Sequence, residues 1–190
     1  MADNSSFLPE GYEIPVTNNY MKLVEGVNRL RVLSKPAVGM EYWKTNPENP
    51  SKRTPIRYRM DAPAPKISDL EINPKSGQID MPQHFWAMVV YNYADKKIQI
   101  LELKQKGILK ALKMWIDNPK WGDLRNYDIT ITKEGQGMET KYVADHDPKE
   151  EMDKAIVKEY ESMGIKLEAL FDGADPFEAS AKEAEAVFAE

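Results

Sequence analysis

The chain contains no cysteine and only two histidines, His84 and His146. The lack of cysteine excludes disulfides and thiolate metal sites outright, which suits a reducing compartment. The two histidines stand far apart in unlike surroundings, so a catalytic triad has little to draw on. A Gly-rich phosphate loop is missing as well: Glu134-Gly-Gln-Gly137 lacks the lysine and falls in an expected hairpin turn rather than between strand and helix. Asp145-His146-Asp147 offers metal-ligating residue types, but adjacent side chains seldom converge on one ion, and the stretch reads as a polar linker ending in a helix cap. No apolar run approaches the roughly 18 residues of a membrane span, and Met1-Ala-Asp-Asn-Ser-Ser lacks the basic region and apolar core of a secretory signal. Together these absences predict a non-enzymatic cytoplasmic protein without metal or cofactor.

What is present is an uneven charge distribution. The 190 residues suffice for one domain with appendages, and the formal charge of −5 conceals a split. Asp145 to Glu190 holds 14 acidic and 5 basic residues, net −9, which leaves 17 acidic and 21 basic residues, net +4, in Met1 to Ala144. A basic body with an acidic tail is a sign of polyanion binding.

The pattern is richest from Phe85 to Val143. Phe85-Trp-Ala-Met-Val-Val-Tyr-Asn-Tyr93 is dense in aromatic and β-branched residues and predicts a strand. Ala94 to Lys97 turns, and Ile98 to Leu103 returns as a second strand. Helical spacing follows, with Ile108, Ala111, Leu112 and Trp115 on one stripe and Lys104, Lys106, Lys110 and Lys113 on the other side. After Asn118-Pro119, Tyr127 to Lys133 alternates as a strand, Glu134 to Gly137 turns, and Met138 to Val143 returns.

Upstream, residues 1–26 read as an N-terminal arm, with Tyr20 to Val24 either helical or extended. Val27 to Ser34, Met40 to Lys44 and Thr54 to Met60 alternate as strands, the last an edge because of Pro55. Asn46 to Arg53 is predicted as an exposed loop and Asp61 to Pro82, with its repeated prolines, as a long excursion. The domain closes at residue 147. Asp147-Pro-Lys-Glu150 has the residues of a helix start and Gly164 those of a stop, predicting a C-terminal helix over 148–164 and an acidic tail over 165–190.

A strand-to-strand surface that mixes cations with aromatic rings suits single-stranded nucleic acid, because the cations track phosphates while the rings stack bases without regard to sequence. Arg29 and Arg31 share one side of the first strand, opposite Leu30 and Val32. Trp43, Arg57 and Arg59 share the parity opposite Met40, Ile56 and Met60. Lys44, Arg53 and Tyr58 complete this group, while Tyr91, Tyr93, Lys96 and Lys97 extend it from the central hairpin. Tyr42 and Tyr58 compete as core residues, Trp86 and Trp115 read as core, and the helix lysines fit a solvated face as well as phosphate contact.

The succession Asn28-Arg-Leu-Arg-Val-Leu33, Gly39-Met-Glu-Tyr-Trp-Lys44, Pro55-Ile-Arg57, Phe85 to Tyr91, Ile98 to Leu103 with Gln105-Lys-Gly107, Tyr127 to Ile131 and Thr140-Lys-Tyr142 resembles the single-stranded DNA-binding proteins of bacteriophages and prophages. It is especially similar to compact relatives of the T4-type helix-destabilising protein, over roughly residues 27–144. The resemblance implies a mainly β fold with flanking helices, a five-stranded OB-fold barrel, and a role in phage DNA replication or recombination within the host cytoplasm. It further implies an acidic C-terminal tail, with Asp172, Asp175, Phe177, Glu183, Glu185 and Phe188, that recruits replication or recombination proteins and competes with DNA for the basic groove. The cysteine-held zinc of the T4 protein has no counterpart. Ala174-Asp-Pro-Phe177 is similar to the Pro-Phe-ended tip of bacterial single-stranded DNA-binding proteins, but it is internal here and reads as chance. Two other readings stay open: an RNA-binding OB-fold, and a protein-interaction or inhibitor module whose basic face takes an acidic partner.

Overall fold

A computed structural model describes residues 18–178. The expected positions of Glu183, Glu185 and Phe188 lie outside the described residues, as does most of the N-terminal arm. Eight strands form one sheet along the path β1-β6-β5-β2-β7-β8, with β3 and β4 branching from it. They are β1 Tyr20–Met21, β2 Gly26–Val32, β3 Ala37–Asn46, β4 Asn49–Arg59, β5 Gln83–Asn92, β6 Lys97–Leu103, β7 Asp128–Glu134 and β8 Lys141–His146. Two α-helices, α1 Lys106–Asp117 and α2 Lys154–Met163, complete the described residues together with four short 3₁₀ turns.

The sheet does not close into the expected five-stranded barrel. β5 gives one edge to β6 and divides the other between β2, which pairs at Val90–Asn92, and β3, which pairs at Phe85–Ala87 and beyond. The sheet therefore forks at residues 33–36, where Ser34 Oγ accepts from the Val89 amide at 2.9 Å in the gap between the two neighbours. From the fork, β3 and β4 continue as a hairpin whose far half pairs only with itself. Pro50 and Pro55 sit in β4, which pairs with β3 alone and so tolerates residues without an amide hydrogen.

Each face of the sheet carries its own core. On one side Leu30, Val32, Met88, Val90, Leu101 and Leu103 pack under Ile108, Leu109 and Leu112 of α1. On the other, Leu33, Ala37, Phe85, Ala87, Val89 and Ile100 pack under Ile156 and Tyr160 of α2 and under Leu170 of the segment that follows. Burial on both faces explains why β5 and β6 read as nearly continuous apolar runs.

Three expectations need correction. Residues 46–53 are not a loose loop but the end of the hairpin, with strand on either side of a two-residue turn at Pro47-Glu48. The C-terminal helix begins at Lys154, where the Asp153 carboxylate accepts from the Ala155 amide at 2.7 Å, and not after Asp147. Residues 147–153 instead form no helix, and the amides of Asp147 and Glu150 donate to the carbonyls of Asp128 and Asn126. The segment after Gly164 is likewise not a free tail: Ala169, Leu170 and Pro176 are buried and the Lys166 amide donates to the Pro176 carbonyl. β1 resolves the ambiguity at Tyr20 as extended, paired in parallel with β6.

Candidate nucleic-acid interface

Strand register puts most of the predicted binding residues on one face, the one that α2 covers. Arg31 lies opposite Tyr91, and Gly39, Glu41 and Trp43 lie opposite Arg59, Arg57 and Pro55. The parity reading of these residues matches the sheet, yet they do not form one trough. The α2 segment and residues 165–178 fill the middle of the face, leaving one cluster at each end of β5.

At the first end, Arg31 is only 2 % exposed. Its Nε donates to Asp128 at 2.5 Å, and one terminal nitrogen donates to the Glu150 carbonyl at 2.9 Å. A guanidinium so enclosed is shut away from a phosphate in solvent, which corrects its expected role. Arg29 is exposed, bonds Asp128 and Asp147, and lies 4.9 Å from the centre of the Tyr93 ring. The Tyr93 hydroxyl donates to Asp128 at 2.9 Å, and burial together with that bond pushes its pKa up to about 12. Tyr91 and Tyr93 meet edge to face, 5.1 Å between ring centres. Lys96, in the turn beside them, and Lys97, at the start of β6, are exposed, with no carboxylate at ion-pair distance among the described residues.

At the second end the arginines are also occupied. Arg57 bonds Glu102 at 2.5 Å, and its Nε stands 2.9 Å from Glu41 Oε2, close enough for charge pairing but not aligned as a hydrogen bond. The Glu41 side chain is 1 % exposed and also pairs with Lys104. Burial, with Glu41 nearby, raises the Glu102 pKa above the ordinary carboxylate value. Arg59 pairs with Glu168 and lies 4.9 Å from the Phe171 ring centre. Arg53 bonds Asp80 at 2.5 Å and the Trp43 carbonyl at 2.6 Å, while the excursion before β5 also bonds Thr45 through Glu71. The hairpin is thus braced by the long proline-rich stretch. Trp43, half-buried, is stacked with Lys104, whose Nζ is 5.6 Å from its ring centre.

Of the expected tail residues, Asp172 and Asp175 are exposed and Phe177 packs against the α2-side core. They belong to a folded segment.

The opposite face of the same hairpin is open. Here Met40 pairs with both His84 and Tyr58, and Tyr42 meets Tyr58 edge to face at 6.3 Å. Lys44 Nζ lies 5.8 Å from the Tyr42 ring centre. Lys44 and Tyr58, both predicted, therefore sit on the side away from Trp43, Arg57 and Arg59. Below them lies a groove of about 720 Å³ between β5 and α1, lined by His84, Trp86, Leu109 and the lysines of α1. Sequence reasoning assigned Trp86 to the core and left those lysines undecided. The helical spacing of the lysines was the available signal, but which strand faced them was not visible.

Among the described residues no cluster of histidine, aspartate and glutamate has the arrangement of a metal site, and no helix is long and apolar enough to cross a membrane.

Comparison with curated proteins finds a probable ssDNA-binding protein of Escherichia phage T5, 24% identical over 137 residues, covering 65% of this chain and 52% of that protein. The chain thus spans about half the length of the curated relative it matches. No family model matches the chain, and no solved structure does.

Proposed function

We propose that this chain binds single-stranded DNA with little sequence preference, as a coating protein in phage replication or recombination within the host cytoplasm. The distant likeness to the phage T5 protein supports the reading. The observation that carries it is the β3–β4 hairpin, which leaves the sheet with Tyr42, Trp43 and Tyr58 interleaved with Lys44 and Lys52. Rings on such an arm stack bases irrespective of sequence while its cations neutralise phosphates. In the same reading the chain is a compact relative of the T4-type helix-destabilising protein. Its C-terminal residues, Glu183, Glu185 and Phe188 beyond the exposed Asp172 and Asp175, recruit replication or recombination proteins.

Titration with oligo(dT), followed by tryptophan emission, tests this. Quenching is expected, with affinity falling on a log–log salt plot by about 0.7 for each phosphate neutralised. Unchanged emission together with no retention of labelled oligo(dT) would reject the function.

A further inference from the structure

The geometry points to the groove between β5 and α1, rather than the α2-covered face, as the bed of the single strand, an inference that rests on the DNA-binding reading. Its floor and one wall belong to the sheet. Trp86 Nε1 donates to His84 Nε2 at 3.1 Å, and His84 Nδ1 lies 3.1 Å from the Gly39 carbonyl. With Nδ1 protonated, both imidazole nitrogens and the indole N–H are engaged. The pair then presents ring surface to an incoming base but no unsatisfied hydrogen-bonding edge, as sequence-indifferent stacking requires. The same side of the sheet continues through Met40 to Tyr58 and Tyr42. The ring-bearing strip is therefore continuous from β5 to the hairpin.

The second wall is α1. Lys106 and Lys110 are exposed and have no carboxylate at ion-pair distance among the described residues, while Lys113 pairs with Asp117, also exposed. Lys106 and Lys110 are four residues apart, about 6 Å along the axis, so each lysine addresses a different phosphate of an extended strand. No carboxylate lines the groove. Apolar floor, cationic rim and absent acid together fit a polyanion with stackable groups better than an acidic peptide, whose side chains would leave the ring surface unused.

This differs from the arginine clusters of the α2 face in one decisive respect. There Arg31, Arg53, Arg57 and Arg59 are already bonded to Asp128, Asp80, Glu41 or Glu102, and Glu168. A phosphate would have to displace those carboxylates; in the groove it meets Lys106 and Lys110, which are solvated and unclaimed.

The test compares the full chain with K106E/K110E, with K154E/K158E, which makes the same charge change on exposed lysines of α2, and with R59A on the α2 face. Oligo(dT) affinity is measured across a salt series. K106E/K110E is expected to bind at least tenfold more weakly, with a salt slope shallower by about 1.4, two phosphate contacts at about 0.7 each. K154E/K158E and R59A are expected to stay within a few-fold of the parent. If the parent binds and K106E/K110E matches it, or is no weaker than K154E/K158E, the groove is overturned and the DNA-binding function stands. If the parent itself does not bind, both fall. Circular dichroism establishes that the variants are folded; these lysines are exposed, so they are expected to be.

Discussion

At the scale of single residues, three charged side chains, Arg31, Glu41 and Asp128, are buried among the described residues. Asp128 accepts from Arg31, Arg29 and Tyr93 at 2.5, 2.7 and 2.9 Å. Arg31→Met removes the buried partner and leaves the carboxylate with two, so a loss near the low end of the range for broken buried pairs is expected, about 3 kcal/mol in urea unfolding. Affinity for oligo(dT) should not change, since the lost guanidinium never reaches solvent. The tyrosines set a second expectation. Burial raises Tyr93 and Tyr127 from an ordinary value of 10 to about 12. The unfolded chain loses these protons first as pH rises. Their contribution to stability is thus complete below pH 10 and declines through pH 12, and tyrosinate absorbance should show two phenols titrating about two units late. Alternation placed Arg29, Arg31, Arg57 and Arg59 on one side correctly. It is silent on carboxylates arriving from elsewhere, and Asp128, Glu102 and Glu168 all come from distant parts of the chain.

At the scale of elements, the hairpin carries rings and cations of the proposed interface, and Gly39 anchors it. A Cβ at Gly39 would stand 2.6 Å from the Tyr58 carbonyl oxygen and 2.7 Å from the Phe171 ring, with Phe85 at 3.1 Å. Gly39→Ala should therefore cost about 1–3 kcal/mol of stability by overpacking, read as a lower urea midpoint. Trp43→Ala probes the hairpin end. If a base stacks there, it should weaken oligo(dT) binding by about 1–3 kcal/mol; an unchanged constant would remove Trp43 from the interface. Strands were legible wherever apolar and polar residues alternate or β-branched and aromatic residues crowd, as in β2, β5, β6 and β7. The hairpin end was misread because Pro47, Asn49 and Pro50 have the composition of a loop, whereas an edge strand needs few amide donors and accommodates them. The start of α2 was misread because Asp147-Pro148 has capping chemistry, yet its backbone is taken up by Asn126 and Asp128.

At the scale of the whole molecule, each of the two cores lies under a different helix. One helix closes the far side with apolar residues, and the other lines an open groove with lysines. The segment after Gly164 had been expected among the tail because Glu168, Asp172 and Asp175 dominate its composition, but Leu167, Leu170 and Phe171 anchor it to the sheet. Any competition between tail and DNA is therefore to be tested by cutting after Glu178, so that those anchors stay. Removing residues 179–190 takes away Glu183, Glu185 and Glu190 against Lys182. Tighter oligo(dT) binding at low salt is expected, and unchanged or weaker binding would refute the competition. What no pattern in the chain announced is the forked sheet, since period-two alternation identifies sides of a strand but not which neighbour shares its edge.

The outermost strand has a further consequence. Pro50 and Pro55 deprive β4 of two amide hydrogens, and the exposed Lys52 adds a charge to the same strand. Neighbours lined up along a shared polymer would thus meet a fence that discourages zippering into ribbons. If the proposed coating holds, each subunit should therefore be able to dissociate on its own.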